Sequence, residues 1–113
     1  MYQLSFDLPT STNKLYSRTR NGMRLSDEAR AYKEYASIMA RNQWEQSEPL
    51  KGAIAITYRF YGSKADWDNL CKVLGDSMNK IVWEDDVQII EAHVYMYRKE
   101  TEDKHVEVEV KQL

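Results

Sequence analysis

Between Ala53 and Tyr61 every second side chain is apolar or aromatic: Ile54, Ile56, Tyr58 and Phe60. A period of two commits this stretch to a strand with one face buried. The same period recurs at Tyr2, Leu4, Phe6 and Leu8, and again at Val106, Val108 and Val110, which alternate with Glu107, Glu109 and Lys111. Such strands need a cover for their apolar face, and the segments between them supply one at helical spacing. Ala29, Tyr32, Ala36 and Met39 share a face of a helix predicted from Ser26 to about Trp44. Leu70, Val73, Leu74 and Met78 share a face of a second, predicted from near Asp68 to about Lys80.

Turn chemistry punctuates these elements. Pro9 ends the first strand and Thr10-Ser11-Thr12-Asn13 is turn material. Asn21-Gly22 lies in the middle of Leu15 to Leu25, a strong hairpin signal, and the arms carry Arg18, Arg20 and Arg24. Ser26 with Asp27-Glu28 reads as a helix start, the acids lying where the helix dipole favours them. Pro49 and Gly52 mark the exit, and Gly62-Ser63-Lys64 breaks the central strand. Val87 to Tyr97 reads as a third strand, and a turn around Glu100 to Lys104 returns the chain as a fourth. The expected fold is α+β: a small single domain, two helices packed on a mixed β-sheet, with a basic N-terminal hairpin.

Composition excludes more than it assigns. At 113 residues the chain has room for one core. A lone cysteine, Cys71, leaves no internal disulfide, which fits a reducing compartment. No apolar run approaches the roughly 20 residues of a membrane helix. The N-terminus has neither a basic region nor an apolar stretch of signal-peptide type, so a cytoplasmic protein is expected. The net charge of −2 argues against non-specific coating of nucleic acid. The charge is uneven, however: Lys14 to Lys33 carries six bases against two acids, and Glu84 to Val110 nine acids against three bases.

The densest chemistry lies in Asp66-Trp67-Asp68-Asn69-Leu70-Cys71-Lys72, with Asp76 and then Asp85-Asp86 following. Asp68, Lys72 and Asp76 are spaced by four, so they share one polar face of the second helix. Asp85 and Asp86 lie beyond that helix, and they meet its start only if the helix packs across the sheet. Clustered carboxylates repel one another until a cation neutralises them, and hard oxygen ligands suit Mg²⁺. A nearby lysine can stabilise charge developing on a phosphoryl group. Taken singly, each residue has a structural account: Asp68 as a helix cap, Asp66 in an ordinary loop, Lys72 in i, i+4 pairs, Asp85-Asp86 closing a turn. An EF-hand fits poorly, because Leu70 and Cys71 stand where a calcium loop wants ligands and glycine.

Together, Asp-x-Asp-Asn-x-x-Lys, an Asp four residues on, and Asp-Asp resemble the RusA-type crossover junction endodeoxyribonucleases, the Holliday junction resolvases. Pro9-Thr10-Ser11-Thr12-Asn13-Lys14-Leu15-Tyr16 resembles that family's N-terminal signature, and the helix with Arg30, Tyr32 and Lys33 falls where the family has a similar segment. The resemblance runs from Pro9 to about Gln88. It implies that Asp66, Asp68 and Asp86 bind Mg²⁺, with Mn²⁺ as a possible substitute, that Asp85 is a further candidate ligand, and that Lys72 is catalytic. Asp76 matches a recurrent acid of the family, to which the resemblance assigns no particular role. The resemblance also implies a homodimer acting on branched DNA, of a kind common in bacteria and their prophages.

The acidic pI of 5.7 is awkward for a junction binder. Asn13, Lys14, Arg18, Arg20, Arg24, Arg30, Lys33 and Lys64 are the residues expected to form the DNA face. Two other functions compete: a non-catalytic accessory protein that binds branched DNA with the same fold, and a phosphohydrolase acting on small nucleotides. No base pocket or Gly-rich phosphate loop supports the latter. Cys71 is expected to pack as a small hydrophobe. Trp67 and Trp83, flanking the two acidic clusters, are expected in the core, although an aromatic beside a nuclease site can also stack on an unpaired base. His93 and His105 make no zinc pair.

Overall fold

The computed structural model describes residues 1–8, 16–19, 22–25 and 27–113, with side chains at 1–8 and 27–113. In chain order its elements are β1 (Tyr2–Asp7), β2 (Tyr16–Thr19), β3 (Gly22–Leu25), α1 (Asp27–Gln43), β4 (Ile54–Tyr61), α2 (Trp67–Met78), a 3-10 turn (Asp86–Gln88), β5 (Ile89–Tyr97) and β6 (His105–Gln112). Among the described residues β1, β6, β4 and β5 form one sheet in that order. β4 runs antiparallel to β6 and parallel to β5, and β6 runs antiparallel to β1. Parallel neighbours need a crossover, and α2 provides it. The expected α+β architecture, two helices on a mixed sheet, is the one found.

Period-two patterning decides which face of the sheet is covered. Leu4, Val108 and Tyr58 lie in one cross-strand row, and Phe6, Val106 and Phe60 in the next. All six are buried, and burying a large apolar side chain fully contributes about 1.5–3 kcal/mol. α1 covers one part of this face with Ala29, Tyr32, Ala36 and Ala40, and α2 covers another with Leu70, Val73, Leu74 and Met78. The helices also meet each other: Ser77 Oγ donates to the Lys33 carbonyl at 3.4 Å, and Ser37 Oγ to the Ser77 carbonyl at 3.3 Å.

The two edges of the sheet are treated differently. Along β1, the Gln43 side chain accepts from Ser5 N–H at 2.8 Å and donates to the Ser5 carbonyl at 2.7 Å. Tyr35 Oη accepts from Asp7 N–H at 3.0 Å, and Tyr32 Oη donates to the Asp7 carbonyl at 2.8 Å. Side chains of α1 thus satisfy backbone groups that an edge strand would otherwise offer to another chain. At the opposite edge, β5 carries Ile90, Tyr95 and Tyr97, all exposed.

Two boundaries differ from expectation. α2 ends at Met78 rather than near Lys80, because Lys80 adopts φ 73° and turns the chain. β5 begins at Ile89 rather than Val87. Asp85 accepts from Val87 N–H at 3.0 Å and Gln88 Oε1 from Asp85 N–H at 2.8 Å, a capping box that winds Asp86–Gln88 into a helical turn first.

β2 and β3 pair antiparallel, Tyr16 opposite Leu25 and Thr19 opposite Gly22. The side chains of Arg18 and Arg24 lie outside the described residues. So do Pro9, the Thr10–Asn13 turn, Lys14, Arg20, Asn21 and Ser26, with the expectations placed on them. Among the described residues no helix is long and apolar enough to cross a membrane.

Candidate active site

A groove of about 330 Å³ runs along α2, between that helix and the start of β5. Its polar wall is a single helical face. Asp68, Lys72 and Asp76 stand at successive i, i+4 positions, a row about 12 Å long at 1.5 Å rise per residue. Ile56 and Tyr58 of β4, with Ile89 and Ala92 of β5, supply the apolar surface, and Asp86 enters from the turn ahead of β5. Asp86 therefore does meet the α2 face, because the Leu70–Met78 stripe holds the helix against the sheet.

Each acid is held in its own way. Asp66 occupies the N-cap position of α2 with extended backbone angles, but its side chain makes no capping bond and it is not among the groove-lining residues. Asp68 lies in the first turn, where the helix dipole favours a carboxylate, and its Oδ1 accepts from Asn69 N–H at 3.0 Å. Asp86 Oδ1 accepts from the Trp83 indole N–H at 2.8 Å. Trp83 is fully buried, so the core reaches out to orient this carboxylate. Asp85 is occupied as the cap of the 3-10 turn and does not line the groove. Among the described residues no three Asp, Glu, His or Cys side chains lie close enough together to hold a metal by themselves.

Two groups on the groove surface are kept neutral. Burial, reinforced by Cys71, Asp86 and Asp76, drives the Tyr58 hydroxyl far above its usual pKa of 10.0. It stays protonated, able to donate, beneath two of the acids. Burial and then Asp68 push the Cys71 thiol up to about 12, which removes it as a nucleophile and agrees with its expected role in packing.

Of the expected DNA-facing residues, three have described side chains. Lys64 is exposed in the loop two residues before Asp66, Arg30 is exposed on α1 and reaches Asp27 at 3.8 Å, and Lys33 is half-buried on α1, where its carbonyl meets α2. Asn13, Lys14, Arg18, Arg20 and Arg24 have none. Trp67 departs from expectation: it is 51% exposed on the lip of the groove rather than in the core. As the first residue of α2 it precedes the apolar stripe instead of joining it. Sequence reasoning also missed Trp83 as the support of Asp86, and Tyr58 as the groove floor. Trp83 carried a signal in its i, i+3 spacing from Asp86, whereas Tyr58 has the pattern of any inward strand residue.

A protein-family model described as Endodeoxyribonuclease RusA matches residues 7–111. The chain belongs to the RusA endodeoxyribonuclease family. The match takes in both sides of the groove, from Asp66 through Lys72 and Asp76 to Asp86, as well as the arginine-bearing strands β2 and β3. No curated protein matches the chain. Membership in the RusA family places it among nucleases and makes the acid-lined groove its candidate catalytic centre.

Proposed function

We propose that this RusA-family chain is a Mg²⁺-dependent, structure-selective endonuclease that resolves four-way DNA junctions by paired phosphodiester hydrolysis. The observation that carries the reading is the groove in which Asp68, Lys72, Asp76 and Asp86 meet although the chain separates the first and last by a whole helix. The donor set is all oxygen, as hard cations prefer, and Mg²⁺ keeps several of its waters, so two or three carboxylates suffice. Asp68 and Asp86, which line the groove, would hold the ion with water completing its shell, and Mn²⁺ would substitute. Asp66, outside the groove lining and not engaged in capping, would have to turn in from the mouth of α2 to join them. Asp85, committed to its cap, is the weaker ligand. Bound there, the ion would supply Lewis acidity toward a phosphoryl oxygen and lower the pKa of a water.

The chain's own residues do the rest. Lys72, between Asp68 and Asp76 on the helix face, stabilises charge developing on the phosphoryl group. Trp83 fixes the direction of Asp86. Lys64, Arg30 and Lys33, with Asn13, Lys14, Arg18, Arg20 and Arg24, contact phosphates away from the scissile bond. A four-way junction has two-fold symmetry, which a homodimer with two identical sites matches. Among the described residues α1 side chains cover the β1 edge while no element pairs with the outer edge of β5, a contrast that supports such an assembly. Two copies of β5 can pair about a two-fold axis, and Ile89 and Ala92 of the same strand line the groove.

The test is a labelled mobile four-way junction incubated with Mg²⁺, Mn²⁺ or EDTA, with Asp68→Asn and Lys72→Ala in parallel and sedimentation to read the assembly state. Paired symmetric nicks that need both metal and Asp68 are expected, with junction binding retained by Asp68→Asn. Lys72→Ala should bind but cleave roughly 100-fold more slowly. Tight binding without cleavage in any divalent metal would replace this reading by that of a junction-binding accessory protein. Neither binding nor cleavage would refute both.

A further inference from the structure

Trp67 is anomalous for a tryptophan. It stands 51% exposed, whereas Trp83 is fully buried and Trp44 packs on Tyr2 with ring centroids 4.9 Å apart. Among the described residues neither an aromatic ring nor a hydrogen-bond partner lies against the Trp67 indole. It precedes Asp68 by one residue and shares the groove with Asp68, Lys72 and Asp86. An indole left in water has a large apolar surface to bury when a partner arrives. Here the partner is whatever the groove binds.

We propose that Trp67 is a specificity-determining residue, whose indole stacks on a base that has lost its neighbour at a branch point, beside the phosphate held in the groove. The inference rests on the reading of this groove as a nuclease site for branched DNA. Its logic is steric. In continuous duplex every base face is already covered by the next base pair, so an indole at the groove's lip finds no free π-surface. Where strands exchange, a base face can be uncovered at low energetic cost. Stacking on it needs no hydrogen bonds and tolerates any base. Trp67 thus reads structure rather than sequence and brings the branch point to Asp68.

A second aromatic cluster among the described residues lies away from the groove. Tyr95, Tyr97, Tyr61 and His105 lie in a continuous stack across the opposite face of the sheet, at interplanar angles of 11–15°. The rings stack on one another, with Tyr95 and Tyr97 still exposed at their outer sides, and none of them lines the groove that holds Asp68 and Lys72. The neighbouring side chains include Glu107, to which Tyr61 Oη donates at 3.4 Å, and Asp103, whose carboxylate is 3.5 Å from His105. Arg59, over the Tyr95 ring at 5.4 Å, is itself paired with Glu109 at 2.9 Å, so this cation beside the stack is matched by an acid.

The experiment compares the unaltered protein with Trp67→Ala and Trp67→Phe on a four-way junction and on linear duplex of the same sequence, with kcat and KM measured on each. Trp67→Ala is expected to lose roughly 5- to 100-fold in junction kcat/KM and to lower the ratio of junction to linear cleavage; Trp67→Phe should recover most of that ratio. A further readout does not need catalysis. In EDTA, junction DNA should quench the emission of the exposed tryptophan more than linear DNA does, and the difference should vanish in Trp67→Phe. An unchanged junction-to-linear ratio in Trp67→Ala, or equal losses on both substrates, would overturn the proposal while leaving the resolvase reading intact. Failure of the unaltered protein to bind or cut junctions would overturn both.

Discussion

Replacing Trp83 by phenylalanine separates the core from the site it supports. The residue is fully buried, and its indole N–H donates to Asp86 Oδ1 at 2.8 Å. Phenylalanine keeps a ring in the core but removes the donor and part of the apolar volume. Asp86 is exposed, so water can rehydrate the released carboxylate, and the lost hydrogen bond costs only about 1 kcal/mol. The missing ring atoms correspond to two or three methylenes at about 0.8 kcal/mol each, before any cavity term. The total is about 3 kcal/mol, which lowers Tm by roughly 10–15 °C in a domain of this size. Thermal melting followed by circular dichroism reads that term. The functional term is separate: with Asp86 free to rotate, the Mg²⁺ concentration for half-maximal junction cleavage should rise roughly 10-fold or more, as when a ligand's supporting partner is removed. Asp86→Asn is the complement. Its amide oxygen still accepts from Trp83, so Tm should fall by only a few degrees while cleavage disappears. If Trp83→Phe melts lower yet needs no more Mg²⁺ than the unaltered protein, the indole is packing alone and does not position Asp86.

Gly75 sits inside α2 without a positive φ, and a Cβ there would meet only Tyr58 Oη, at 3.6 Å, an ordinary contact. Gly75→Ala should therefore stabilise the protein by about 0.5–1 kcal/mol in urea unfolding; destabilisation would show that the helix lies closer to Tyr58 than this. His105 makes stability depend on pH. Its Nδ1 lies 3.0 Å from the Asp103 carbonyl and its Nε2 3.4 Å from the Glu107 carboxylate. The hydrogen bond to the Asp103 backbone chiefly raises its pKa above 6.5; burial, next in size, opposes it, and Glu107 and the Asp103 charge add to the rise. A raised folded-state pKa means that folding favours the proton. The stabilisation is fully present below pH 6.5 and is lost as pH rises through the higher folded value, so the urea midpoint should fall across that window. His105→Gln should flatten the dependence, and an unchanged slope would place its origin elsewhere.

Some of this protein was written locally along the chain. Ile54, Ile56, Tyr58 and Phe60, like Val106, Val108 and Val110, could only be strand residues with one covered face, since no other backbone gives a period of two. The apolar spacing of Leu70 to Met78 likewise required a helix whose opposite face carries Asp68, Lys72 and Asp76. Even the family was readable, because its acids and lysine sit at fixed short separations. What the chain could not announce was distance between segments. That Asp86 joins the α2 row depends on β5 lying parallel to β4, and that depends on how an entire helix packs. The 3-10 turn at Asp86 follows from Gln88 reaching back to Asp85, while the same Gln88 donates to Leu50 and Gly52, more than thirty residues away. Trp67 and Trp83 make the point most directly. Each is a tryptophan beside an acidic cluster and nothing in the neighbouring sequence separates them, yet one fills the core and one stands in water. Burial is a property of what lies opposite a side chain, and only the tertiary structure decides that.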